Sequence, residues 1–118
     1  MSDFVQYLHE VFHTFGAIHT KRMFGGYGVY HDGLMFGLVA DDVLYLKVDD
    51  EVRQTFVERG LTAFEYTKNG KTMKMSYFTA PEEIYDDEAV AREWGVLAFG
   101  AALRSQPKSR KRREPTRR

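Results

Sequence analysis

The sequence predicts an α+β domain built on an antiparallel sheet, ordered as one helix, four strands, one helix, two strands and a final helix. Three observations lead there. Apolar residues recur with helical spacing near both ends of the chain, and their period falls toward two through the middle. Asp-Gly, Asp-Asp and Asn-Gly pairs, suited to tight turns, punctuate that middle region. A chain of 118 residues has room for one domain, and 43% apolar content with nine Phe and seven Tyr can fill one modest core.

Each element has its own justification. Phe4, Leu8, Val11, Phe12 and Phe15 fall on one helical face, and Gly16 is placed to end that helix. Strands are expected over Ala17 to Phe24, Tyr27 to Tyr30, Leu34 to Ala40 and Val43 to Val48. Asp32-Gly33 is the strongest hairpin signal among them, because both residues tolerate positive φ. In the third strand Leu34, Phe36, Leu38 and Ala40 alternate onto one face, yet Met35 and Val39 make the other face apolar as well. A sheet covered on one side normally alternates apolar with polar. Either a helix crosses to the second face, or that face meets another subunit in a homodimer. Exposure of Tyr27, Tyr30, Met35 and Tyr45 distinguishes the two.

Asp49-Asp50 can cap a short helix with Val52, Phe56 and Val57 as its apolar positions and Gly60 at its end. Ala63 to Thr67 and Lys71 to Phe78 flank Lys68-Asn69-Gly70 as a second hairpin. Pro81 breaks the strand, and the acidic run Asp86-Asp87-Glu88 suits a helix N-terminus. Val90, Trp94, Leu97, Ala98, Ala101 and Ala102 form the apolar stripe of the last helix.

The formal charge is zero, from 17 Lys plus Arg and 17 Asp plus Glu, but the signs are segregated. Residues 1–103 carry nine cations and sixteen acids, net minus seven; residues 104–118 carry eight cations and Glu114, net plus seven. The expected organisation is an acidic domain over 1–103 and a basic flexible tail over 104–118, since nothing large and apolar after Leu103 offsets its ordering entropy. No cysteine is present, which removes disulfides and thiol chemistry. The longest apolar stretch, Leu34 to Ala40, is too short to span a bilayer, and the first residues have no leader pattern. A cytoplasmic protein is expected, with no membrane partner.

Several spaced blocks carry a family resemblance. Arg22-Met23-Phe24-Gly25-Gly26-Tyr27-Gly28-Val29-Tyr30, Gly33-Leu34-Met35-Phe36, Leu44-Tyr45-Leu46-Lys47-Val48, Met75-Ser76-Tyr77-Phe78 and Ala80-Pro81-Glu82-Glu83 resemble the N-terminal domain of the TfoX/Sxy competence regulators. The likeness runs from the first helix to about Leu103. It implies a two-layer α/β sandwich similar to secretion-chaperone-like folds. It also implies a cytoplasmic regulator without catalytic chemistry or cofactor, whose relatives promote transcription of competence genes together with the cyclic-AMP receptor protein. Full-length relatives carry a second, C-terminal domain where this sequence has its basic tail. Within the motif Met23, Phe24, Gly25, Gly26, Tyr27 and Gly28, the glycines lack P-loop and dinucleotide spacing and are read as permitting a tight turn or bulge.

A second pattern competes for attention. His9, Glu10, His13, Gly16 and His19 match the H-E-x-x-H-x-x-G-x-x-H spacing of zinc peptidases, in which the histidines hold zinc and the Glu activates its water. The context opposes that reading. Only eight residues precede His9, leaving no sheet to seat a substrate, and the third ligand would leave along a strand. On a helical wheel His9 and His13 lie roughly 110° and 150° from the centre of the apolar stripe, toward solvent. No metal is therefore expected, and no enzyme.

Two binding functions remain. One is a regulator acting through a protein partner in transcription, docked on the tyrosine-rich sheet face or a helix face. The other is weak nucleic-acid contact through Lys108, Arg110, Lys111, Arg112, Arg113, Arg117 and Arg118, which can neutralise phosphates without reading sequence. Repulsion between an acidic domain and phosphates leaves the tail as the route to such contact.

Overall fold

The computed structural model describes residues 3–23 and 25–106. Along the chain these form α1 (Asp3–Val11), β1 (His19–Met23), β2 (Gly26–His31), β3 (Leu34–Ala40), β4 (Val43–Lys47), α2 (Arg53–Glu58), β5 (Ala63–Lys68), β6 (Lys71–Thr79), a 3-10 helix (Glu82–Tyr85) and α3 (Glu88–Arg104). The strands make one antiparallel sheet in the order β1-β2-β3-β4-β6-β5.

Turn chemistry places the strands. Asp32 and Gly33 sit at φ 50° and 80°, and Asn69 and Gly70 at 54° and 77°, the double left-handed step that suits the twist of a hairpin. Asp41 and Asp42 adopt the same step, at 52° and 58°, without a glycine. Helix starts follow their side chains. Asp87 Oδ1 accepts from the backbone N–H of Ala89 and Val90 at 2.9 and 3.4 Å, capping α3. Asp49 Oδ1 accepts from Glu51 and Val52 ahead of α2.

All three helices pack on one side of the sheet. Val5, Leu8 and Phe12 from the N-terminal segment, Phe56 from α2, and Trp94, Ala98 and Ala101 from α3 join Val29, Phe36, Val39, Leu44, Leu46 and Phe78 in one buried cluster. Phe56 is fully buried, its ring edge-on to Trp94 at 4.8 Å. Each of the Val, Leu and Phe side chains among them contributes about 1.5–3 kcal/mol by leaving water.

Two details depart from the expected elements. The first helix ends at Val11 rather than Phe15, because the chain tightens. Gly16 N–H and Phe15 N–H both donate to the Phe12 carbonyl at 2.9 Å, and the turn swings Phe15 against Phe36 and Phe99. The break at Pro81 is itself a turn of 3-10 helix that buries Ile84.

The larger correction concerns β3. Val29 pairs with Gly37 but Tyr30 pairs with Met35, so Phe36 is an extra residue, a bulge. Alternation therefore slips by one at Phe36. Leu34, Phe36 and Val39 face the helices, while Met35 and Leu38 face away. The expected sharing of one face by Leu34, Phe36, Leu38 and Ala40 does not occur.

No helix crosses to the second face among the described residues. Leu38 and Tyr77 are 7% and 9% exposed yet lie outside the main core cluster. What shelters them is the sheet itself. The β5–β6 hairpin curls until Phe64, Tyr66, Met73 and Met75 line a cavity of about 230 Å³ with Met35 and Leu38.

Candidate functional site

Strand pairing sorts the side chains of a sheet onto two faces. On the face away from the helices, β1 presents His19, Lys21 and Met23, and β2 presents Gly28 and Tyr30. Met35 and Leu38 follow on β3, then Val43, Tyr45 and Lys47 on β4. Lys71, Met73, Met75 and Tyr77 on β6 and Phe64, Tyr66 and Lys68 on β5 complete it. Among the described strand residues none on this face is Asp or Glu. The residues present are apolar, aromatic or basic.

Close contacts support that sorting. A Cβ at Gly28 would stand 2.7 Å from Met23 Sδ and 3.1 Å from Met35 Sδ, so two thioethers cross over the bare glycine. Tyr45 and Phe64 meet edge to face at 4.8 Å. Lys21 Nζ lies 5.2 Å from the Tyr30 ring centre, and Lys47 Nζ lies 5.1 Å from that of Tyr77. Burial, with Tyr30 nearby, pushes the Tyr77 phenol up to about 12, so it stays neutral. The most accessible apolar groups are Met73, Val43 and Met75, at 55%, 40% and 37%. The two methionines are soft, unbranched and adaptable.

Of the four residues expected to report on this face, Tyr30, Met35 and Tyr45 lie on it and are half-buried. Tyr27 does not. It pairs with Val39 and packs against the helix-side core. Phe64, Tyr66, Met73 and Tyr77, which line the cavity, are not among the four face residues expected from sequence. Their alternation with charged and polar residues along β5 and β6 is the signal that could have found them.

The glycine motif is a hairpin. Met23 pairs with Gly26 across a turn at Gly25, which has φ 78°. Gly26 lies tight against the backbone carbonyl of Val39. Phe24 lies outside the described residues, as do Lys108, Arg110, Lys111, Arg112, Arg113, Arg117 and Arg118.

The histidines are dispersed. His9 is exposed on α1, and His19 opens β1. His13 follows α1, where its Nδ1–H donates to the Glu10 carbonyl at 2.9 Å and its Nε2 lies 3.0 Å from Glu88 Oε1. Among the described residues no three His, Cys, Asp or Glu gather as a metal site. His31, not part of the pattern, packs on Phe15 and Phe99 and donates from Nδ1 to the Ala17 carbonyl at 2.7 Å.

The end of α3 carries a further contact. Arg104 is the last residue of the helix, and its guanidinium donates to Asp49 from Nε at 2.6 Å and from Nη2 at 3.1 Å, with Glu51 at 3.3 Å. That hydrogen-bonded guanidinium holds the Asp49 carboxyl below its usual range, against a smaller opposing effect of burial.

Comparison with known proteins places this arrangement. The sequence matches the family described as TfoX N-terminal domain over residues 10–102. It is 33% identical over 82 residues to the DNA transformation protein TfoX1 of Aliivibrio fischeri, covering 66% of this chain and 39% of that protein. It is 26% identical over 97 residues to Protein Sxy of Escherichia coli, covering 82% and 46%. Each match thus covers less than half of the relative's length.

Proposed function

Because the chain belongs to the TfoX N-terminal domain family, we propose that it is a regulator of DNA transformation that acts in the cytoplasm, on transcription, through protein contacts rather than catalysis. The observation that carries this reading is the continuous family match over residues 10–102, from α1 to α3, together with a relative whose name is DNA transformation protein. Competence is the capacity to take up DNA, and the proposed role is control of the genes that provide it.

No helix among the described residues is long and apolar enough to cross a membrane. One further observation supports action by contact. The aromatic and methionine-rich sheet face offers a docking surface, and hot spots of protein interfaces favour such side chains.

The test is genetic. Removing the gene from its own organism lowers both the transcripts of DNA-uptake genes and the frequency of transformation, and the full chain supplied in trans restores both. Unchanged transcripts and transformation in the deletion strain would refute the proposal.

A further inference from the structure

The open face of the sheet carries a charge pattern that chain order conceals. Residues 1–103 hold a net charge of minus seven, yet this face has Lys21, Lys47, Lys68 and Lys71 and, among its described strand residues, no carboxylate. At its centre is the cavity of about 230 Å³ between Met35 and Leu38 on one side and Phe64, Tyr66 and Met73 on the other. An apolar hole on a face whose charged strand side chains are all lysines selects its occupant by two terms at once. The hole takes a large apolar side chain, and the lysines favour carboxylates beside it.

We infer that this face binds an acidic protein segment: a stretch of Asp and Glu carrying a single large apolar anchor, Leu, Phe or Trp, that enters the cavity beside Met73. The inference rests on the reading of the protein as a regulator acting through contacts, and it names the chemistry of the partner. Residues 107–118 of the chain are not that segment, since they carry seven cations and one acid. A second copy meeting face to face would set these lysines against one another. Single-stranded nucleic acid also suits lysines and aromatics, but stacking needs exposed ring faces. Here Tyr30, Tyr45, Phe64 and Tyr66 are half-buried, and the more accessible apolar groups are aliphatic or thioether, Met73, Val43 and Met75.

The chain has five methionines, three of them lining the cavity, so their ε-methyl NMR signals report occupancy directly. The probe is a short synthetic peptide of Asp, Glu and Ser around one central Trp, titrated into the full chain. The Met35, Met73 and Met75 methyls shift on titration. Met73→Glu and Lys71→Glu, both at exposed positions, keep the native melting temperature and each weaken binding ~10-fold or more. The inference is overturned if the three methyls do not move, if both variants bind as the native chain does, or if a peptide with Lys in place of the acids binds equally. Displacement of the peptide by an oligothymidylate assigns the face to nucleic acid and overturns it too. Methyl shifts that follow protein concentration without peptide overturn it in favour of a second copy. Peptide binding in a chain whose deletion leaves transformation unchanged defeats the functional reading alone; a transformation phenotype without peptide binding defeats this inference alone.

Discussion

Substituting alanine at two neighbouring glycines of the β1–β2 hairpin should have very different costs. At Gly26 a Cβ would overlap the backbone carbonyl oxygen of Val39, which cannot rotate away. Relief requires β2 and β3 to part at the Tyr27–Val39 pair. Overpacking of this kind costs about 1–3 kcal/mol, and each ladder hydrogen bond weakened adds ~1 kcal/mol, so Gly26→Ala should lose about 3 kcal/mol. That is a large share of the ~5–15 kcal/mol typical of a domain. Gly28→Ala meets two thioether ends, Met23 Sδ and Met35 Sδ, and a Tyr30 ring carbon at 2.9 Å, all of which can swing aside. Losing a glycine within a strand returns about 0.5–1 kcal/mol of backbone entropy, which leaves Gly28→Ala within ~1 kcal/mol of the native chain. Urea unfolding read by Trp94 fluorescence measures both. At about 4–8 °C per kcal/mol, the melting temperature of Gly26→Ala should fall by roughly 12 °C or more. Equal costs for the two variants, or a Gly26→Ala midpoint indistinguishable from native, would refute the close approach of Gly26 to Val39 as the reason for that glycine.

Three other outcomes follow. The Asp49 carboxyl is held below its ordinary 3.8, so its pairing with Arg104 contributes fully above that value and is lost as pH falls through the lower folded value. Arg104→Gln should therefore reduce the urea midpoint at neutral pH, with a difference that shrinks in acid; a difference that persists unchanged into strong acid contradicts the linkage. Elemental analysis of protein purified without added metal should find no stoichiometric zinc, and one zinc per chain that disappears in His13→Ala would restore the peptidase-like reading. Removing residues 107–118, which spares Arg104, should leave the unfolding midpoint unchanged and abolish retention on DNA. If about six tail cations contact phosphates, log K for the full chain should fall with log salt at a slope of about −5. A truncated protein that binds DNA equally well disproves a role for the tail.

Most of the fold was legible because each element announces itself locally. Periodicity and turn pairs locate β3 at Leu34–Ala40, and the caps Asp49 and Asp87 precede the two later helices. The bulge at Phe36 was not legible. Leu34 to Ala40 is an unbroken apolar run around Gly37 that carries no mark of a slip, which exists only in the pairing of Val29 with Gly37 and Tyr30 with Met35. The glycine itself shows why it is accommodated: a Cβ there would stand 3.3 Å from Val29 Cβ. The candidate site was legible in part for the same reason. Tyr30, Met35 and Tyr45 were found from β2 to β4, whereas the curl that brings Phe64 and Met73 over Leu38 is a tertiary event. Splitting the charge at Leu103 found one separation of sign along the chain. The other runs through the thickness of the sheet, and no linear count can show it.

The bulge at Phe36 has a bearing on how this strand can change by descent. Pairing β3 regularly with β2 while keeping all its residues would set Phe36 opposite Tyr30 and Met35 opposite His31, turning Leu34 and Phe36 outward and Met35 inward. Core and binding surface would be exchanged together. Relatives should therefore vary freely in the identity of the apolar residues along β3 and keep its bulged register. Gains and losses of residues should collect instead in exposed turns such as Lys68-Asn69-Gly70, where an added residue disturbs neither face.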